Sequence, residues 1–544
     1  MQHDSTNTVF SLAADLVNYT ARHLFLTGKA GTGKTTFLKY IKEHTKKNTV
    51  VVAPTGVAAI NAGGVTMHSF FQLPFGPFVP ASLNNYTAGS QATDKHSLFK
   101  NIFFTTSKRE LLQELELLII DEVSMVRCDM LDAMDTILRH FRRQYNVPFG
   151  GVQVLYIGDM YQLPPVIPQH EWETLREHYN SPFFFDAKVV RESPPLYIEL
   201  KKIYRQNEQH FIDILNRIRD NAPQRNDLEE LNSRYQPAFS PPAGEKFITL
   251  TTHNRKADVI NEAELKKLPG KLHTFTAEVK GEFSDKALPT ELNLQLKEGA
   301  QVMFIKNDSG TERRYYNGKL ATVKKISGDD ITVSIDDGDD LVLEKEEWKN
   351  IRYNYNKEKN DIEEEELGSF KQFPVRLAWA ITIHKSQGLT FERAVIDAGA
   401  SFAAGQVYVA LSRCTSLDGL VLHSKIHPHA ISTDQRVLEF AQREEDDAHL
   451  EQVLREEKEK FQAEMLVKTF NWSKVLSALH DWKETIPGKK LPDPDDALLL
   501  CTTLMKKAAE QASVAEKFQA QLRQVLAGGD KDLLQQRVNK AILY

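Results

Sequence analysis

Residues 28 to 35, Gly28-Lys29-Ala30-Gly31-Thr32-Gly33-Lys34-Thr35, have the spacing G-x-x-x-x-G-K-[ST] and lie between a short apolar run, His23 to Thr27, and a helical stretch that begins at Thr36. In such a loop, glycines let backbone N–H groups close around phosphate oxygens, and the following helix N-terminus adds positive potential. The expected nucleotide-binding residues are therefore Gly28, Ala30, Gly31, Thr32, Gly33, Lys34, Thr35 and Thr36. Lys34 is expected to reach the β and γ phosphates of ATP, and the Thr35 hydroxyl to bind Mg2+. A second segment, Leu117-Leu118-Ile119-Ile120-Asp121-Glu122, reads as an apolar strand that delivers two carboxylates at its carboxyl end. Asp121 there suits the metal, and Glu122 suits polarising the water that attacks the γ phosphate. A glycine-rich loop alone implies only nucleotide binding, and an acidic pair alone ends many buried strands. Together they point to nucleotide hydrolysis.

These residues need a frame. A helix is expected over Val9 to Asn18, and strands over His23 to Thr27, Thr49 to Ala53, Leu117 to Ile120, Val152 to Ile157, Lys246 to Thr251 and Arg393 to Asp397. Helical patterns lie between them, so the expected class is α/β with parallel sheets. Between Gly299 and Leu343 the texture changes to short apolar runs separated by Asn317-Gly318, Gly328-Asp329 and Asp337-Gly338, which predicts a small antiparallel barrel. Leu438 to Thr485 and Asp495 to Tyr544 read as helices joined by a linker at Pro487 to Pro494.

The 544 residues suggest two to four domains, with 41% hydrophobic and 26% charged residues as in soluble globular proteins. No apolar run approaches the roughly 18 residues needed to cross a bilayer, so no membrane partner is expected. Met1 to Asp15 does not read as a signal peptide, and Cys128, Cys414 and Cys501 are widely spaced, which predicts reduced thiols, no zinc site and a cytoplasmic location. The net charge of -6 is concentrated: Ser327 to Glu366 holds fifteen acidic and five basic residues, and Arg443 to Glu464 holds nine and four. The remainder is net positive, which permits a polyanionic partner. Most of the acidic face from Asp329 to Glu366 is expected to be solvated.

Further segments resemble the motifs of superfamily one helicases, in particular the Pif-one-type DNA helicases. These are Val51 to Ala59 with Val65 to Phe70, Pro148 to Val154 running into Gly158 to Val166, Ile203-Tyr204-Arg205-Gln206, Ala380 to Gly388, and Tyr408 to Cys414. They occur in the family's order over about Phe10 to His423. Met160-Tyr161 stands where the family usually has two aromatics, and no Leu-Asn-x-x-Gln precedes the phosphate loop, which leaves Asn7 to Leu12 as the expected adenine contact.

The resemblance implies two recombinase-like motor domains with ATP between them. The first is expected over 1–190, with a small wedge insert at about 72–105. The second is expected over 191–298 and 375–436, with an SH3-like insert at 299–374 and a helical region of unassigned role at 437–544. It implies that Lys34, Glu122 and Gln162 act from the first domain and that Arg205 and Arg413 reach across as arginine fingers. It also implies strand contacts at Pro54, Thr55, His68 and Ser69 on the first domain and at Thr382, His384, Lys385 and Ser386 on the second. The implied partners are single-stranded DNA and single-strand/duplex junctions, the implied movement is 5′-to-3′, and the implied state is a monomer. Phe70, Phe71, Phe75 and Phe78, among Pro74, Pro77 and Pro80, are candidates either to stack on bases or to pack against the first domain. The rival readings are a RecD-type recombination helicase, for which no N-terminal region is seen before Gly28, a nucleotide-switched DNA clamp, and an RNA motor.

Overall fold

The computed structural model describes residues 8–29, 31–80, 92–202, 208–242, 244–308, 314–335, 340–397, 405–488 and 491–543. Six strands, β1 (Leu24–Gly28), β2 (Thr49–Ala53), β3 (Val65–Thr66), β4 (Leu117–Ile120), β5 (Gln153–Ile157) and β6 (Leu196–Leu200), form one parallel sheet in the order β3-β2-β4-β5-β1-β6. Every residue of β1, β4 and β5 is buried, as expected of strands covered on both faces. This order brings the carboxyl ends of β1, β4 and β5 side by side. The phosphate loop, the acidic pair and the Gly158 turn therefore leave the same edge of the sheet, where ligands of open α/β sheets bind. The helices α1 (Thr8–Tyr19) and α2 (Lys34–His44) flank β1.

A second parallel sheet has β7 (Ile248–Thr251), β8 (Ala380–Thr382), β9 (Ala394–Asp397) and β10 (Leu420–Leu422) in the order β8-β7-β9-β10. Between β7 and β8 the chain is antiparallel. In place of the small barrel expected between Gly299 and Leu343, the described residues form three antiparallel sheets within 273–377. One has five strands (Asp340–Val342, Asp330–Ser334, Leu320–Ser327, Gln301–Phe304 and Val375–Leu377), and one is a ribbon of His273–Thr276 with Asn293–Leu296. These two share a core that includes Phe275, Leu294, Leu296, Val302, Phe304 and Val333.

The third sheet departs from the expectation. Glu346–Asn356 and Asp361–Gln372 pair as a long hairpin, with Glu278–Gly281 along its far strand. Its outer half lies on the first motor domain instead of being wholly solvated. Tyr353 is buried, its hydroxyl accepting from Val51 N and donating to Gly63 O, both at 3.4 Å. Ile362 N donates to Asn48 Oδ1 at 3.2 Å, and Lys42 and Lys357 pair with Glu364 (3.1 Å) and Glu110 (2.7 Å).

The chain divides into two compact units, the second holding Asn18–Ala21 with Asp447–Tyr544. The first unit extends past the boundary expected at 437 because Val437 and Phe440 belong to its core. Phe440 stacks on Phe185 at 4.5 Å and lies 5.4 Å from Phe25. The second unit carries the helices Asp447–Thr469, Ser473–Thr485, Pro494–Gly528 and Lys531–Leu543. Pro494 opens the longest of these, with Asp493 capping it by accepting from Asp496 N at 3.0 Å. Among the described residues, no helix is long and apolar enough to cross a membrane.

Candidate nucleotide cleft and nucleic-acid interface

The phosphate loop closes on itself through its own side chains. Thr32, almost fully buried, donates its hydroxyl to Lys29 O at 2.9 Å, and Lys34 Nζ donates to Gly28 O at 2.6 Å and Lys29 O at 3.1 Å. Gly31 and Gly33 adopt φ values of +84° and +94°, conformations that favour glycine, and Gly33 caps α2. Successive turns of this kind aim backbone N–H groups into one concavity. Thr35 and Thr36 are exposed on the first turn of α2, and Ala30 lies outside the described residues. Phe10 on α1 packs against Phe37 and Tyr40 of α2 at 4.9 and 5.4 Å, which sets it beside the helix that leaves the loop.

Asp121 and Glu122 end β4, and Glu122 has φ +51°, a left-handed conformation that is strained for a residue with a side chain and recurs at functional sites. Burial and the neighbouring Glu122 charge push Asp121 up to about 7, with Lys34 opposing. Burial likewise raises Glu122, while Lys34 and Arg413 oppose the shift and Asp159 adds to it. Two carboxylates held above their usual range by desolvation and mutual repulsion form a site that a divalent cation balances. The oxygen donors of Asp121 and Thr35 fit Mg2+.

Beside them, the loop after β5 holds Gln162, nearly buried, whose Nε2 donates to Asp159 Oδ2 at 3.1 Å. Gln387 of the second domain donates to Gln162 Oε1 at 3.5 Å. Arg413 is 1% exposed and does not project as a free finger. Its Nε donates to Val409 O (3.0 Å), Nη1 to Ser386 O (3.4 Å) and Leu389 O (3.3 Å), and Nη2 to Ser412 Oγ (3.0 Å). The guanidinium thus braces the loops of its own domain while facing the charges of Glu122 and Asp159. Arg205 lies outside the described residues.

The expected strand contacts divide. Pro54 is half-buried, while Thr55 is exposed and caps the helix Gly56–Ala62 by accepting from Ala58 N at 3.2 Å. Ser69 is exposed, and the half-buried His68 ring lies parallel to Phe75 at 5.9 Å. His384 and Lys385 face outward. Thr382 and Ser386 do not: Thr382 is 3% exposed and its hydroxyl accepts from Lys385 N, while Ser386 is 0% exposed and donates to Ile383 O at 2.8 Å. These two hydroxyls are engaged by the loop's own backbone, and it is the Ser386 carbonyl, not its hydroxyl, that accepts from Arg413. Of the four phenylalanines, Phe70, Phe71 and Phe78 are core residues and Phe75 is 92% exposed. The exposed Phe103 was not anticipated.

Sequence reasoning also missed a row of buried carboxylates that tie down backbone from three separate segments. Asp129, Asp132 and Asp135 recur every third residue along the helix Cys128–Phe141, and all three are buried. Asp129 accepts from Phe78 N at 2.9 Å and pairs with Arg127. Asp132 accepts from Lys188 N and Val189 N, and Asp135 from Phe149 N. The signal was present as an acidic period on a face that is otherwise apolar.

Residues 2–227 match the family described as PIF1-like helicase, and residues 453–544 match one described as DNA helicase, middle domain. The human ATP-dependent DNA helicase PIF1 is 35% identical over 428 residues, covering 77% of this chain. The chain spans 60% of that relative's length. Bacteroides sp Pif1 in complex with ADP-AlF4 is 41% identical, with a TM-score of 0.72 over 80% of this chain and 96% of that one. Bacteroides Pif1 bound to ssDNA is also 41% identical, with a TM-score of 0.55 over 81% of this chain and 97% of that one. The two parallel sheets are accordingly those of two RecA-like motor domains, and the chain belongs to the PIF1-like helicase family.

Proposed function

We propose that this chain is an ATP-dependent DNA helicase that moves 5′-to-3′ on single-stranded DNA and opens duplexes at junctions. The observation that carries the reading is the composition of the cleft. Lys34, Asp121, Glu122 and Gln162 come from the first motor domain, and Arg413, whose charge acts on Glu122, comes from the second. In the reaction a water oxygen bonds to the γ phosphorus, the bond from that phosphorus to the bridging oxygen breaks, and ADP leaves with the electron pair. Glu122, raised by burial, suits accepting the water proton, and Gln162 suits orienting the water. Lys34 and Arg413 oppose the negative charge that develops. Thr35 and Asp121 would hold Mg2+, which would add to the neutralisation of the phosphates.

Hydrolysis built from both domains couples chemistry to their relative movement. The exposed contacts lie on both domains, Thr55 and Ser69 on one and His384 and Lys385 on the other. Alternating grip by two such edges converts domain movement into steps along a backbone, which such groups hold without reading sequence. The human relative's name and the Bacteroides complexes with ADP-AlF4 and ssDNA support this reading. We take the active species to be a monomer on DNA, Arg205 to act beside Arg413, and Asn7 to Leu12 to meet the adenine.

The test is ATP hydrolysis with and without single-stranded DNA, run beside Lys34→Ala. DNA-stimulated turnover that is lost in the variant supports the reading. Nucleotide and strand binding without turnover overturns it in favour of a nucleotide-switched clamp.

A further inference from the structure

The loop of Asp159, Tyr161 and Gln162 is presented to the cleft by the first motor domain, and three elements of the second domain hold it. Gly405, at φ +80°, approaches so closely that a Cβ there would stand 2.9 Å from the carbonyl oxygens of both Tyr161 and Gln162. Gln387 supplies the hydrogen bond to Gln162 already described. The third contact is ionic and is made by a residue outside every motif singled out in the sequence.

Arg219 is the last residue of the helix Gln209–Arg219, whose apolar face, Phe211, Ile214, Leu215 and Ile218, is buried in the core. Its carbonyl accepts from the Thr433 hydroxyl at 3.0 Å, which anchors the helix end to the second domain. The side chain is nearly fully buried and points the other way. Its guanidinium lies 4.0 Å from the centre of the Tyr161 ring, with Nη2 3.0 Å from Glu199 Oε1 and 3.8 Å from Asp159 Oδ1. The cation comes from the second domain and all three partners from the first, whose sheet includes β6 and so runs past the boundary expected at 190. Glu199 lies on β6 next to Leu200, which pairs with Gly28 at the start of the phosphate loop.

Two features separate this arrangement from a simple cross-link. Asp159 is the residue that orients the catalytic loop, since Oδ2 accepts from Gln162 Nε2 at 3.1 Å and Oδ1 from Tyr161 N at 3.2 Å. Arg219 Nε and Nη2 make no hydrogen bond among the described residues, so charge and the aromatic face hold them instead of directed bonds. Such a contact tolerates sliding as two domains shift, which a hydrogen-bonded fork does not.

We propose that Arg219 is a positioning residue of the nucleotide cleft, through which the second motor domain holds the Asp159–Gln162 loop in the geometry that hydrolysis requires. The inference rests on the ATP-hydrolysing function proposed above. Arg219 is placed against the side chains of Asp159, Tyr161 and Glu199. It acts on Gln162 through Asp159 and Tyr161, and it makes the placement of Gln162 depend on where the second domain stands.

The full-length chain carrying Arg219→Met keeps a flexible unbranched stem at this position and loses the charged guanidinium. Arg219→Lys keeps the charge and loses the planar face over Tyr161. Melting temperature, KM for ATP and kcat at saturating single-stranded DNA are measured for both. Arg219→Met is expected to lower kcat on the order of a hundredfold with KM changed by less than about threefold, because a misplaced group costs rate more than ground-state binding. Arg219→Lys is expected to recover part of the loss. A melting temperature that falls while kcat per folded molecule stays within about twofold of the unaltered chain overturns the inference. If Arg219→Met does not fold, unchanged kcat in Arg219→Lys overturns it equally. Absence of DNA-stimulated hydrolysis in the unaltered chain instead overturns the proposed function, and this inference with it.

Discussion

At the scale of single residues, Lys34 and Glu122 serve different parts of the proposed hydrolysis, and their variants should fail differently. Lys34→Ala removes the positive charge held against the Gly28 and Lys29 carbonyls, so nucleotide affinity and turnover should both fall. Glu122→Gln keeps shape and removes only the base, so turnover should fall at least about a hundredfold while a fluorescent nucleotide still binds. Phosphate release beside nucleotide titration separates the two, and near-normal release in either variant defeats the assignment. Arg413→Ala has a second consequence, because it leaves the carbonyls of Val409, Ser386 and Leu389 without this donor in a buried place. Each hydrogen bond lost there is worth about 0.5 to 1.5 kcal/mol, so the melting temperature should drop together with turnover. Turnover per folded molecule equal to that of the unaltered chain would make Arg413 a brace alone. The phosphate loop was legible because its chemistry lies within eight consecutive residues. The inward turn of Ser386 and the reach of Arg219 to Asp159 were not, since each depends on which distant strand end the fold brings near.

At the scale of elements, the proline-rich stretch after the first DNA motif contains four phenylalanines of one type and two fates. Phe75→Ala, at an exposed position, should leave stability within about 0.5 kcal/mol and weaken single-strand binding by about 1 to 3 kcal/mol if its ring stacks on a base beside His68. Phe78→Ala, in the core, should instead cost about 3 to 5 kcal/mol of stability. Thermal melting and strand titration of the two variants decide the matter, and unchanged strand affinity in Phe75→Ala removes the stacking role. The main strands of both motor sheets were readable as apolar runs, whereas β3, β6, β8 and β10 were missed as strands because two- to five-residue segments carry little periodicity. The hairpin of Glu346–Gln372 was read as a solvated charge run because its partners Lys42, Asn48 and Val51 lie some 300 positions earlier in the chain. Tyr353→Ala should therefore speed amide exchange across 346–372 while leaving β1, β4 and β5 protected. Uniform exchange changes in both places would show that the hairpin is integral to the first sheet.

At the scale of the whole molecule, the proposed motor has two domains that grip one polymer, and the sign of movement depends on the order in which those grips tighten and release. On the proposed 5′-to-3′ movement, a duplex carrying a 5′ single-stranded tail should be unwound and one carrying only a 3′ tail should not. The coupling of grip to chemistry has a sharper test in the second domain, where His384 and Lys385 are exposed but their neighbours Thr382 and Ser386 are internal to the loop. Replacing only the outward pair, His384→Ala with Lys385→Ala, removes strand contacts and leaves the Ser386 carbonyl that accepts from Arg413 in place. The nucleotide cleft should keep its DNA-free hydrolysis to within about threefold, while unwinding and the stimulation of hydrolysis by DNA fall by at least about tenfold. Equal loss of both activities would mean that the pair supports the loop and not the strand. Preferential unwinding from 3′ tails by the unaltered chain would mean that the two domains take and release the strand in the opposite order to the one proposed.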